Sequence, residues 1–142
     1  PLDAAANDIR KRYLKISRRL HPDACASESE DLKQQASQLF AKLVNPAYQE
    51  LSGEQSRAEH NALLSRIGKR LVQERDKAEF SSEAAKQLSR SNNIDHEYRT
   101  QLQKLAENQY EAIDQVPEKI AQISELNLVY LLRKANLGAS VA

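Results

Sequence analysis

Ile9, Tyr13, Ile16 and Leu20 fall at i, i+4, i+7 and i+11, and Pro22 closes the series. Only a helix brings residues at that spacing onto one stripe. A residue preceding proline is pushed out of the helical region, so the helix must end near His21. Apart from Leu14, the rest of its surface is polar or basic. Arg10, Lys11, Arg12, Lys15, Arg18 and Arg19 stand against Asp8 alone, a local charge of +5 (six minus one) in a chain whose total is +1. A positive face opposite an apolar stripe suits an acidic protein surface or phosphates.

The apolar positions further along also keep helical spacing. Ser27 with Glu30 has capping-box spacing, and a second helix is expected from there through Leu32, Ala36, Leu39, Phe40, Leu43, Ala47 and Leu51. Pro46 interrupts it and predicts a kink between Lys42 and Pro46. Ser52 with Gln55 repeats the capping spacing and opens a third helix through Leu64. Beyond it, Leu64, Ile67, Leu71 and Ala78 form a stripe, and Ser81-Ser82 and Asn92-Asn93 are expected breaks. Tyr98, Leu102, Leu105, Ala112 and Val116 suggest another helix, and Pro117 suits the first turn of a last one ending near Gly138. With 3 Gly and 4 Pro in 142 residues, helix breakers are scarce and the composition leans to helix, so an all-α chain is expected.

The order of these features carries a family resemblance. An amphipathic basic helix ends directly in His21-Pro22-Asp23 and is followed by a return helix ending Asn45-Pro46-Ala47-Tyr48-Gln49-Glu50-Leu51-Ser52. Then comes Gln55-Ser56-Arg57-Ala58-Glu59-His60. This sequence resembles the J-domain (DnaJ-like) family, from its second helix (Asp8 to Ile16) to its short fourth. The family's first helix, with an aromatic-x-x-Leu-Gly pattern, is missing ahead of Leu2. Ala5 stands where the family has a Ser or Thr cap, Leu14 where it is often basic and Leu20 where it has an aromatic. Val44-Asn45-Pro46-Ala47-Tyr48 resembles cyanobacterial and plastid members.

The resemblance implies a J-domain over residues 1–64, a helical hairpin lacking its first helix, and a helical docking hairpin or small bundle over 65–142. It implies a co-chaperone that recruits a DnaK-type chaperone and stimulates its ATP hydrolysis, not an enzyme. Asp23 would pair with a chaperone arginine, and His21 and Pro22 would shape the loop. Arg10, Lys15 and Arg19, flanked by Lys11 and Arg18, would lie along an acidic groove. The Gly/Phe-rich and Cys-x-x-Cys regions of larger relatives are missing, with one cysteine and two phenylalanines in the chain, which places it in the family's heterogeneous third class. The alternative is an architectural helical subunit of a larger complex.

Within residues 117–138, Ile120, Ile123, Leu126, Leu128, Val129, Leu131 and Leu132 are too many for one narrow stripe. Leu126, Leu128, Val129 and Leu132 are therefore expected to dock a client or complex. No cofactor is expected. His21, His60 and His96 do not have metal-ligand spacing, and His60 and His96 are expected on the surface. Charge confined to one helix argues against nucleic acid. The apolar run from Leu126 to Leu132 is too short to span a bilayer and contains Asn127, so a soluble chain, or one peripheral to a membrane complex, is expected. The lone Cys25 is read as an incidental thiol, compatible with cytoplasm or plastid stroma.

Overall fold

The computed structural model describes residues 2–74 and 80–141, with the side chains of 136–141 outside the description. Ala78 of the predicted stripe therefore lies outside the described residues. Among the described residues seven α-helices follow one another: α1 Ala6–Leu20, α2 Glu30–Leu39, α3 Asn45–Ser52, α4 Glu54–Gln73, α5 Glu83–Arg90, α6 Ile94–Glu107 and α7 Val116–Val141. A π turn, Phe40–Val44, joins α2 to α3, and a 3₁₀ turn, Ile113–Gln115, precedes α7. There is no strand among the described residues, and the all-α expectation holds.

The described residues divide into two compact units. One, the hairpin unit, comprises Asp3–His60 and Asn108–Pro117. The other, the tail unit, comprises Leu2, the described residues from Asn61 to Glu107 and those from Glu118 on. The boundary near residue 64 read from the sequence thus falls at His60, inside α4, and ten residues from the second half of the chain join the first unit. Of these, Ile113 is buried in the core of that unit.

In the hairpin unit, α1 starts after Ala5, whose side chain makes no capping bond. Helix α2 begins two residues later than the Ser27/Glu30 spacing suggested: Ser29 is the cap and its hydroxyl accepts from the Leu32 N–H at 3.3 Å. The proline problem is solved by widening the helix just before it. Asn45 N–H reaches back five residues to Phe40 O, so the chain makes a π turn, and Pro46 falls in the first turn of α3 where no N–H is needed. The expected kink is this turn. Ser52 and Gln55 form no capping box; α4 opens at Glu54 beside Gly53, where Ser56 Oγ donates to Glu50 O at 2.6 Å.

Leu20, Cys25, Ala36, Val44 and Ile113 form the core of this unit, flanked by Tyr13, Ile16, Leu32 and Phe40. Tyr13 stacks on Tyr48 with ring centroids 3.9 Å apart and donates to Asn45 Oδ1 at 3.1 Å, which pins α1 to α3. Such an aromatic pair adds about 0.5–1.5 kcal/mol beyond its buried area. Cys25 is 1% exposed, and its thiol donates to Arg19 O at 3.5 Å. It is a core residue.

The tail unit is built around Ala85, Leu88, Ile94, Tyr98, Leu102, Leu126, Val129 and Tyr130. The predicted breaks hold: Ser82 caps α5, and α6 begins directly after Asn93. Helix α7 clamps α5 at both ends. The Glu125 carboxylate accepts from the Ser81 and Ser82 N–H groups, and Arg133 donates to Leu88 O at 3.1 Å, Ser89 O at 2.9 Å and Ser91 O at 2.8 Å. An acid at the amino end and a base at the carboxyl end complement the α5 dipole. Glu125 and Arg133 are eight residues apart, about 12 Å along a helix, which matches the eight residues of α5. Gly68 lets α4 approach α7 closely: a Cβ there would lie 3.2 Å from Leu131 O. Asn127, the polar interruption of the apolar run, accepts from the buried Tyr98 hydroxyl at 2.7 Å.

These contacts correct the reading of the last helix. Leu126 and Val129 are 0% exposed within the tail unit's own core and are not available to a partner; Leu132 is half-buried, and of the four only Leu128 is exposed, at 39%. Helix α7 needs so many apolar residues because its own unit covers more than one of its faces.

Asp95 shows how this unit responds to pH. It accepts from Tyr130 Oη at 2.5 Å and pairs with Lys134 at 3.1 Å, and these two bonds, Tyr130 first, hold its carboxyl below the ordinary value of 3.8. A lowered folded pKa stabilises the unit above the unfolded value and ceases to do so as pH falls through the folded one. Asp95→Asn is expected to lower the melting temperature at neutral pH, with the difference from the parent disappearing in acid. A difference independent of pH would remove the carboxylate from the account.

Candidate functional site

The surface built by α1 and the loop after it is where the basic residues, the proline and the histidine meet. Arg10, Lys11, Lys15 and Arg18 are all exposed. They share the helix with the Tyr13/Ile16/Leu20 stripe but point away from it, because burial of the stripe fixes the rotation of the helix. Leu14 stands among them, 38% exposed.

Helix α1 ends at Leu20, and His21 has extended backbone angles, as expected ahead of Pro22. The loop then turns tightly on itself, with Ala24 N–H donating to His21 O at 3.0 Å and Glu28 N–H to Cys25 O at 3.0 Å. His21 Nδ1 accepts from the Asp23 N–H at 3.1 Å, so the imidazole is hydrogen-bonded within the loop it belongs to. The Asp23 side chain is 96% exposed and that of His21 60% exposed. An open groove of about 320 Å³ lies beside the loop, lined by Ser17, Leu20, Pro22, Cys25, Phe40 and Ala41 among others. The loop thus presents a carboxylate and a ring to solvent at the end of a cationic helix.

The structure separates two arginines from the rest. Arg12 and Arg19 are half-buried and engaged within the unit. Arg12 donates to Gln109 Oε1 at 3.1 Å, and burial lowers its pKa. Arg19 donates to Glu111 O at 2.6 Å and lies 3.6 Å from Glu28. The sequence placed Arg19 with the free cations; its guanidinium is turned inward instead. Gln109, Tyr110 and Glu111, absent from any sequence reading of the site, are what it and Arg12 meet.

No group of His, Cys, Asp and Glu that could hold a metal ion occurs among the described residues. His60 is half-buried beside Glu50, 3.6 Å away, and His96 is exposed. Among the described residues no helix is long and apolar enough to cross a membrane.

A helical hairpin with an exposed His-Pro-Asp loop closing its basic arm is the arrangement expected from the resemblance to the J-domain family. Residues 1–61 match the family model of the DnaJ domain. The chain is similar to the J protein JJJ2 of Candida glabrata, 41% identical over 64 residues that make up 45% of this chain and 12% of that protein. No solved structure matches the chain. The likeness to the DnaJ domain thus lies in the first 61 residues, and the matched stretch is a small part of the relative's length.

Proposed function

We propose that the chain is a J-domain co-chaperone that docks on a DnaK-type chaperone and stimulates its ATP hydrolysis, with the tail unit committing it to a particular client or complex. The observation that carries the reading is the exposed His21-Pro22-Asp23 loop at the end of a helix whose Arg10, Lys11, Lys15 and Arg18 are open to solvent. The action is allosteric: binding favours the arrangement in which the chaperone hydrolyses ATP, by as much as the J-domain prefers that arrangement over the other. A buried, unpaired Cys25 suits a reducing compartment, the cytoplasm or a plastid stroma.

The test is electrostatic. Lys15→Glu with Arg18→Glu is expected to raise the concentration of chain giving half-maximal stimulation of the chaperone ATPase by roughly tenfold or more, since charges at an interface rim act mainly on association. Salt should weaken the parental interaction in the same way, because exposed charges are screened over about 8 Å at physiological ionic strength. Unchanged half-maximal concentration in the double variant, with salt-insensitive stimulation, would sink the basic face as the docking surface.

A further inference from the structure

The hairpin unit contains ten residues that lie beyond the matched J-domain. In Asn108–Pro117, Ile113 is 2% exposed and shares the core with Leu20, Cys25, Ala36 and Val44, and Val116 is fully buried. The same segment reaches two cations of α1. Gln109 Oε1 accepts from Arg12 at 3.1 Å, and the Arg12 guanidinium lies 6.0 Å from the centre of the Tyr110 ring. Glu111 O accepts from Arg19 Nη2 at 2.6 Å.

Arg19 stands at a junction. Its Nη1 is 3.7 Å from Cys25 Sγ, its Nη2 is 3.6 Å from the Glu28 carboxylate, and its own carbonyl accepts from the Cys25 thiol. Cys25 and Glu28 are the residues whose backbone closes the turn after His21-Pro22-Asp23. One guanidinium therefore ties the end of α1, the inner side of the loop and the 108–117 segment together. Hydrogen bonds from an ionised donor are about twice as strong as neutral ones, and a planar fork loses little freedom in making several.

We infer that Asn108–Pro117 is a working element of the J-domain and that Arg19 is the positioning residue through which it acts: the segment holds the Arg19 guanidinium against Glu111 O, and the guanidinium holds the loop that presents His21, Pro22 and Asp23. The functional half of this rests on the co-chaperone reading; the structural half does not. The set of cations open to a partner is thereby reduced to Arg10, Lys11, Lys15 and Arg18.

The experiment is amide hydrogen exchange on the full chain, read at Ala24, Cys25 and Glu28, whose N–H groups are bonded within the loop. Arg19→Ala, at a partly exposed position, is expected to speed exchange at these three amides by roughly tenfold while leaving α3 unchanged, as for a local opening. Arg19→Lys, which keeps the charge and one donor, should restore part of the protection. Ile113→Ser should loosen the same amides more than Val44→Ala does at an equal loss of melting temperature, because Val44 fills the same core from outside the Asn108–Pro117 segment. Unchanged loop exchange in Arg19→Ala, or equal effects of Ile113→Ser and Val44→Ala, would overturn the inference. At saturating concentrations Arg19→Ala should lower maximal ATPase stimulation, whereas Lys15→Ala should only raise the half-maximal concentration. If the parent chain stimulates no chaperone but the exchange results hold, the docking proposal falls and the positioning role of Arg19 stands.

Discussion

Asp23→Asn and His21→Gln, each alone, are expected to abolish stimulation of the chaperone's ATP hydrolysis while leaving helical content and melting temperature unchanged. The loss should be complete because the account gives the loop one exposed carboxylate, and an amide of the same shape cannot pair with a cationic partner. Stability should survive because the Asp23 side chain is 96% exposed and its carboxylate comes no nearer than 3.7 Å to His21 Nδ1, and surface changes of this kind stay within about 0.5 kcal/mol. His21→Gln removes the ring nitrogen that accepts from the Asp23 N–H, which loosens the loop locally without reaching the core. Circular dichroism alongside the ATPase assay separates the two effects. Stimulation by either variant equal to the parent's would mean that the loop is not the contact.

Leu126→Glu is expected to have the largest effect on the fold. Leu126 is 0% exposed among Leu88, Tyr98, Leu102 and Val129, and an unpaired carboxylate placed there is among the few changes that cost more than about 4 kcal/mol. The milder Leu126→Ala should cost about 2–5 kcal/mol through lost burial and the cavity left behind. Leu128→Glu, on the same helix but exposed, should stay within about 0.5 kcal/mol of the parent. Thermal melts of the three variants check this. Equal tolerance of Leu126→Glu and Leu128→Glu would return Leu126 to the docking surface from which the structure removes it.

The difference between those two leucines shows where sequence reading ran out. Spacing identified a helix that is apolar on more than one face, but periodicity reports only that a face must be covered and not by what. Asn127 offered a hint, since a polar residue amid such a run needs a buried partner, which proved to be Tyr98. By contrast, the Ile9/Tyr13/Ile16/Leu20 stripe, the stop at Pro22 and the kink at Pro46 were legible, because each rests on local sterics within a few residues. The 108–117 segment was not. Tyr98, Leu102, Leu105, Ala112 and Val116 continue a helical spacing, which predicted one helix where the chain leaves α6 at Glu107, turns, and buries Ile113 in the other unit. For the same reason Arg19 could not be told from Arg18: a charge run shows sign, and only tertiary contacts show which guanidinium is already held.

The measurement closest to the central claim is single-turnover hydrolysis of ATP prebound to a DnaK-type chaperone, followed with and without the full chain at saturating concentration. The account predicts faster hydrolysis with the parent chain and the basal rate with Asp23→Asn. A basal rate with the parent, or acceleration by both proteins alike, would contradict it.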